Sequence, residues 1–350
     1  MTATEFQIAG RRIGPEHPPF VICELSGNHN GSLERALAMI DAAAATGCDA
    51  IKLQTYTADT LTLDCDGPGF RIEAGPWAGR TLHDLYAEAF TPYEWHAALF
   101  ERARQRGVIL FSTPFDETAV ELLEGLGAPA YKIASFEAVD LPLIARVAAC
   151  GKPMIISTGL ASLAEMEEAL HTARTNGAAG VALLHCVSAY PAPIDEANVR
   201  TVPDLARRFA VVSGLSDHTP GTAASVAAVA LGASIIEKHF TLARADGGPD
   251  AAFSLEPTEF AALTRDCKAA WSALGSATYD ELGSEGAAAG HRRSLYVAAP
   301  VKAGEALTAA NVRSVRPGYG LAPKHLPDLL GRRAARDLKF GEPLDWSMVE

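Results

Sequence analysis

The sequence has no CxxC pair, no excess of positive charge and no apolar run of the roughly 20 residues that a membrane-spanning helix needs. Its six cysteines, at 23, 48, 65, 150, 186 and 267, are scattered, so they read as reduced, mostly buried thiols rather than a disulfide framework or a metal finger. Lysine and arginine number 30 against 42 aspartates and glutamates, a net charge of −12 that argues against a nucleic-acid surface. A local anion pocket is still allowed, because a buried cluster of lysines acts at short range whatever the global charge. The opening Met1-Thr-Ala-Thr-Glu-Phe6 has neither the basic start nor the apolar core of a signal peptide, so a cytoplasmic protein without membrane association is expected. What the chain does have is 350 residues, 48% of them hydrophobic and 21% charged, enough for a large core and for two or so domains.

A small hairpin is expected over Phe6–Gly14, with Gly10 at its turn. Eight β-type runs follow, at 20–24, 49–54, 108–112, 130–135, 154–158, 181–186, 211–216 and 234–239. Helical patterns lie between them, at 33–46, 92–106, 118–125, 141–150, 163–176, 196–208 and 222–232. Eight β/α repeats with near-continuous apolar strands predict a (β/α)8 barrel. A doubly wound open sheet is the competing fold, disfavoured because no glycine-rich dinucleotide turn follows the first strand.

Barrels of this kind carry their active sites at the C-terminal ends of the strands. Those ends here carry Glu24, Lys52 with Gln54, Ser112 with Thr113, Lys132 with Ser135 and Glu137, Ser157 with Thr158, His185 with Ser188, Ser216 with Asp217 and His218, and Glu237 with His239. Individual serines and threonines there are as readily explained as helix caps. Two lysines, three glutamates and three histidines meeting at one mouth are not, since such a cluster needs a charged ligand or a metal to be tolerated.

The centre of the pattern is the pair Gly214-Leu-Ser-Asp-His-Thr219 and Ile235-Ile-Glu-Lys-His-Phe-Thr241, a strand-helix-strand unit that brings His218 and His239 to the same end of the sheet. Two histidines would supply a divalent metal with two protein ligands and leave positions open for water and substrate oxygens, so the metal could polarise a carbonyl. Lys52 and Lys132, with hydroxyls from Thr113, Ser135, Ser157 and Ser216, make a cradle for a small phosphorylated or carboxylated anion. Glu24, Glu137, Asp217 and Asp250 could orient a polyhydroxylated partner or move protons. Anion, metal and carbonyl together point to an aldol-like condensation on a sugar. The long segment 55–91 reads as a partial lid with a short helix at 82–89, and 246–258 as a second loop at the same face.

From near 286 the composition becomes short-stranded and punctuated by Gly and Pro, which divides the chain into 1–285 and 286–350 with 283–290 as a linker. The second part contains an internal echo, Val301-Lys-Ala-Gly-Glu-Ala-Leu-Thr against Leu338-Lys-Phe-Gly-Glu-Pro-Leu-Asp, read as two copies of one strand-turn unit.

CELSGNHNGS, IKLQTY, STPFD, YKIASFE, LLHCVSAYP, GLSDHT, EKHFT and VRPGYG together resemble the sialic-acid synthase family, from about Phe20 to the C-terminus. The resemblance implies a (β/α)8 barrel followed by an antifreeze-like (SAF, β-clip) domain, in a domain-swapped homodimer. It also implies condensation of phosphoenolpyruvate with the open-chain aldehyde of an N-acetylated sugar, giving a nine-carbon 2-keto acid and phosphate. On this basis His218 and His239 look like the ligands of a divalent metal, Mn or Mg. Lys52, Thr113, Lys132, Ser135, Ser157, Ser188 and Ser216 fall where the family binds phosphoenolpyruvate. Gln54, Phe136, Tyr190 and Asp250 fall on the sugar side, with Glu24 and Glu137 near the sugar and the water, and Arg316 resembles the arginine that the SAF domain inserts into the partner's site. WAGRTLHDLYAEAFTPYEWH and KIASFE look like the pseudaminic acid branch, whose sugar is 2,4-diacetamido-2,4,6-trideoxy-L-altrose, because Phe136 suits a 6-deoxy sugar better than one with a polar 6-hydroxyl. Legionaminic and N-acetylneuraminic acid synthases are the alternatives within the family. A metal-dependent barrel hydrolase and a non-catalytic carbohydrate-binding protein are the alternatives outside it.

Overall fold

The computed structural model describes residues 5–75 and 77–350, so residues 1–4, on which the signal-peptide reading partly rests, lie outside the described residues. It contains an antiparallel hairpin of β1 (Phe6–Ile8) and β2 (Arg11–Ile13) with Ala9 and Gly10 at the turn, both at positive φ as a tight two-residue turn requires. Then come β3 (Phe20–Glu24), α1 (Leu33–Ala45), β4 (Ala50–Thr55), α2 (Ala58–Leu61), α3 (Leu82–Ala89), α4 (His96–Arg106), β5 (Ile109–Pro114), α5 (Glu117–Gly125), β6 (Tyr131–Ile133) and α6 (Leu141–Ala148). β7 (Met154–Ser157), α7 (Leu163–Thr175), β8 (Val181–Cys186), α8 (Thr201–Phe209), β9 (Val212–Asp217), α9 (Ala223–Ala230), β10 (Ile235–His239) and α10 (Pro257–Leu274) complete the series. Strands β3 to β10 close into an eight-stranded parallel barrel, β10 pairing with β3 so that His239 stands opposite Glu24. Among the described residues no helix is long and apolar enough to cross a membrane.

Local chemistry starts the helices where the sequence places them. Ser32, Asp116 and Asp140 accept backbone N–H bonds at the first turns of α1, α5 and α6, and Ser162 with Glu165 forms a capping box on α7. The eighth helix, α10, takes the place of the end of the second expected loop. Its buried Phe260, Leu263, Thr264 and Cys267 follow the i, i+3, i+4, i+7 spacing of an amphipathic helix.

The barrel strands bury both faces, and their two-residue alternation sorts the side chains into two cores. One set, including Val21, Cys23, Ile51, Leu110, Ile133, Ile156, Leu183, Leu215 and Ile236, packs outward under the helices. The other, Phe20, Ile22, Ala50, Phe111, Ala130, Ile155, Ala182, Leu184, Val212 and Ile235, fills the barrel. Phe6, Ile8 and Ile13 of the hairpin belong to this inner cluster, so the hairpin plugs the N-terminal end of the barrel. Each plug side chain contributes roughly 1.5–3 kcal/mol by leaving water.

The chain divides into two compact units after Gly275, upstream of the Gly-rich stretch 283–290. Within that stretch the structure has a helical turn, α11 (Gly286–Ala289), where an irregular linker is expected. The second unit pairs β11 (Ser294–Val297) with β12 (Val312–Val315), carries α12 (Leu326–Leu329), and has its own core of Leu295, Val297, Val301, Leu307, Val312, Leu329, Ala334, Leu338 and Leu344. The internal echo is a pair of matching turns. In one the backbone N–H of Lys302 donates to Glu305 Oε2, in the other that of Lys339 donates to Glu342 Oε2, both at 2.9 Å, and the copies meet at the Val301–Leu338 bridge.

Candidate active site

The inward alternation that packs Ile22, Ala50, Phe111, Ala130, Ile155, Leu184, Gly214 and Ile235 continues two residues further along each strand. There it delivers Glu24, Lys52, Thr113, Lys132, Ser157, Cys186, Ser216 and Glu237 to the C-terminal mouth, and Gln54, His218 and His239 to the layer above or beside them. The charges are buried and paired. Lys52 Nζ lies 2.7 Å from Glu24 Oε2 and 3.6 Å from Glu237 Oε1, and donates to Thr113 Oγ1 at 3.1 Å. Lys132 Nζ is 3.5 Å from the same Glu237 oxygen, which also accepts from Ser216 Oγ at 3.4 Å. Burial opposes the charge on both lysines. At Lys52 the two glutamates outweigh it and hold its pKa above the ordinary value, whereas Lys132, beside Lys52, stays below. Glu237 Oε2 and Ser157 Oγ are buried without a hydrogen-bond partner among the described residues, which is unusual for native polar atoms and is what a ligand cradle presents.

The hydroxyls beside the lysines are packed closely. Ser135 Oγ accepts the backbone N–H of Gly159 at 3.1 Å, and a Cβ at Gly159 would fall 2.2 Å from Ser188 Oγ, so only glycine lets these two serines approach one another there. On the other side of the mouth Gln54 Nε2 donates to Glu24 Oε1 at 2.9 Å. Tyr190 packs against His218 with ring centroids 4.4 Å apart and the rings tilted by 42°, and Phe253 packs against both Tyr190 and His239. Phe136 is 59% exposed on the loop after β6. Glu137, on the same loop, has one oxygen buried without a partner, and burial raises its pKa to about 7. Burial likewise raises Asp250 to about 6.

For a divalent cation the two histidines fit as donors. Their ring centroids are 5.3 Å apart. The carbonyl of Val187 can only accept, so at 2.9 Å it holds a hydrogen of His218 on Nδ1 and leaves Nε2 as the ligand nitrogen of the neutral ring; against burial, Cys186 and that carbonyl raise the His218 pKa, so a bound cation would have to displace a proton there. His239 Nδ1 faces Ser26 Oγ at 3.2 Å and Asp250 Oδ2 at 3.8 Å. Burial and the neighbouring cationic groups hold the His239 pKa well below its usual value, which keeps the ring neutral as a ligand must be. Among the described residues no group of three or more His, Cys, Asp or Glu is placed to hold a metal.

Three strand-end residues do not reach the mouth. His185 follows inward-facing Leu184 and therefore points outward, where its Nε2 bonds the Ala197 carbonyl at 2.8 Å; two histidines converge rather than three. Asp217 also points outward, pairing with Lys238 at 2.8 Å and accepting from Thr219 and Ser225, which removes it from the proton-moving or sugar-orienting groups. Ser112 bonds Thr55 Oγ1 at 2.6 Å on the helix side. Conversely, Ser26, Cys186 and Phe253 join the site without having been picked out for it in the sequence, and Trp77 joins it from the segment read as a partial lid. The inward parity of β8 identifies Cys186. Burial would raise its thiol, but the His218 ring at 3.8 Å together with the hydroxyls of Ser135 and Ser188 brings it down to about 7. Trp77 ties the long first loop to the loop carrying Asp250 by donating to the Pro249 carbonyl at 2.8 Å. In the second unit Arg316 is exposed.

Fold and site together define a (β/α)8-barrel enzyme with a buried, ionisable C-terminal mouth and an appended β-rich unit. Residues 39–279 match the NeuB family and residues 292–350 the SAF domain, and the chain belongs to the NeuB family. It is 44% identical to the pseudaminic acid synthase of Campylobacter jejuni subsp. jejuni serotype O:2, over 93% of this chain and 95% of that protein. It is 34% identical to the N,N'-diacetyllegionaminic acid synthase of the same strain, over 92% and 97%. Among solved structures, the N-acetylneuraminic acid synthetase of Leptospira borgpetersenii superposes with a TM-score of 0.73 at 32% identity, covering 81% of this chain and 94% of that one.

Proposed function

We propose that this chain condenses phosphoenolpyruvate with 2,4-diacetamido-2,4,6-trideoxy-L-altrose to give pseudaminic acid and phosphate. The observation that carries the choice of sugar is the ten-point gap between the two synthases of one strain, 44% against 34%. The chemistry rests on the mouth. Lys52 and Lys132 hold the phosphate and carboxylate of phosphoenolpyruvate, and Thr113, Ser135, Ser157, Ser188 and Ser216 donate hydroxyls to them. Gln54, Tyr190, Asp250 and Phe136 receive the sugar. C3 of phosphoenolpyruvate attacks the sugar aldehyde, whose oxygen takes a proton; water adds at C2, and phosphate leaves with its bridging oxygen. A Mn or Mg ion held by His218 and His239 would supply Lewis-acid polarisation of the aldehyde.

Of the two carboxylates, Glu24 is ion-paired with Lys52 through Oε2 and accepts from Ser26 and Gln54 at Oε1, whereas Glu137 can carry a proton at neutral pH. Glu137 is therefore the better acid or base for the sugar oxygen or the water. The same reading carries a cytoplasmic homodimer in which Arg316 reaches the partner's mouth, where it would hold an N-acetyl group. The test is phosphate release from phosphoenolpyruvate with Mn, offering the L-altro diacetamido sugar, its D-manno counterpart and N-acetylmannosamine in parallel. Release with the first alone is expected, and release with another sugar moves the chain to a different branch. Release with none, or full activity after chelation, overturns the condensation or the metal respectively.

A further inference from the structure

Ser26 lies just past the end of β3, buried, with its backbone in the left-handed region at φ 46. Its hydroxyl meets three groups at once: Glu24 Oε1 at 2.8 Å, Gln54 Nε2 at 3.0 Å and His239 Nδ1 at 3.2 Å. A hydroxyl has one hydrogen to donate and two lone pairs to accept with. Glu24 is a carboxylate paired with Lys52 at 2.7 Å and can only accept, so the Ser26 hydrogen goes to it. The Gln54 amide nitrogen, 2.9 Å from the same carboxylate oxygen, faces Ser26 as a donor and takes one lone pair. One lone pair remains, and His239 faces it. Nδ1 of His239 must therefore carry the hydrogen, which leaves the ring lone pair on Nε2. Asp250 Oδ2, 3.8 Å from the same Nδ1, is another acceptor on that side and acts in the same direction.

We infer that Ser26 is a positioning residue that fixes His239 in its Nδ1–H tautomer and so presents Nε2 as a ligand, matching on a side chain what the Val187 carbonyl does for His218. The inference rests on the reading of these histidines as the cation's ligands. Ser26 acts through His239, whose Nδ1 it faces at 3.2 Å.

The ring itself can be read in the metal-free protein by 15N NMR of histidine-labelled chain, with the His239 signals assigned by their loss in His239→Gln. An Nδ1–H pattern for His239 is expected, and an Nε2–H pattern overturns the inference. Ser26→Gly deletes the hydroxyl at a position whose φ glycine accepts more readily than serine, so the fold is kept. Its dissociation constant for Mn2+, from the EPR signal of free Mn2+, should rise about tenfold or more. Ser26→Ala deletes the same hydroxyl but keeps the backbone strain, and should weaken Mn2+ binding equally. Weakening in the alanine variant alone, with glycine at wild-type affinity, would mark a backbone effect and overturn the inference. A wild-type chain that bound no Mn2+ would overturn the metal part of the proposed function, while the NMR pattern would still decide what Ser26 does to the ring.

Discussion

The two halves of the barrel interior are made by the same strands on the same alternation, yet they hold opposite chemistry. Toward the N-terminal end Phe20, Ile22, Phe111, Ile155, Leu184 and Ile235 pack as an apolar core that the hairpin seals. Two residues further along the strands Glu24, Lys52, Lys132 and Glu237 are equally buried and charged. Burying an ion costs several kcal/mol even after relaxation, and a close partner returns only part of it. The lower half therefore stabilises the fold, and the upper half draws on that stability to hold charges where a charged ligand can meet them.

Substitution in each half separates the two roles. Lys52→Met removes the cation 2.7 Å from Glu24 and leaves two buried carboxylates undercompensated. It should cost about 3–5 kcal/mol of stability and about 10²–10³ in kcat/KM for phosphate release. A variant within tenfold of wild type would remove Lys52 from the anion cradle. Ile155→Ala, one turn of the alternation below Ser157, should cost about 2–5 kcal/mol in urea unfolding and leave kcat/KM per folded molecule unchanged. If its activity fell while it remained folded, the two halves would not be separable.

The barrel was legible because eight apolar runs alternate with helical patterns, and those runs differ from the observed strands only at their ends. The mouth was legible as a set of strand ends, but membership needs the parity of each strand counted from its core residues. Position alone puts His185, Asp217 and Ser112 inside, whereas counting from Leu184, Gly214 and Phe111 puts them outside and puts Cys186 in. Ser26, Trp77 and Phe253 were not legible in that way. They arrive on loops, and their contacts, such as Ser26 with His239 or Trp77 with Pro249, join positions far apart in sequence that no local period connects.

Glu137 shows how far the upper half departs from an ordinary surface. Its pKa stands at about 7 rather than 4.5, because burial disfavours the anion. Between those values the folded chain holds a proton that the unfolded chain has released, so this group makes stability fall as pH rises through the window and then level off above it. Glu137→Gln has no such charge to bury. Its unfolding free energy relative to wild type should therefore increase from pH 4.5 to 8 by up to about 3 kcal/mol, measured by urea unfolding at both ends. A difference independent of pH would return Glu137 to an ordinary carboxylate and remove the reason for preferring it over Glu24 as proton carrier.

The smallest effect is expected from the residue that looks most like a third ligand. His185 stands one residue before inward-facing Cys186, and its ring bonds the Ala197 carbonyl on the helix side of the sheet. A glutamine there keeps an N–H donor of similar reach, so His185→Gln should lose at most about 0.5–1.5 kcal/mol, the worth of one neutral hydrogen bond. Mn2+ affinity and phosphate release should stay at wild-type values, while His218→Ala loses both. Were His185→Gln to weaken Mn2+ binding as His218→Ala does, strand parity would not be what selects the residues of the mouth, and the division between its polar layer and the outward-facing side chains would have to be redrawn.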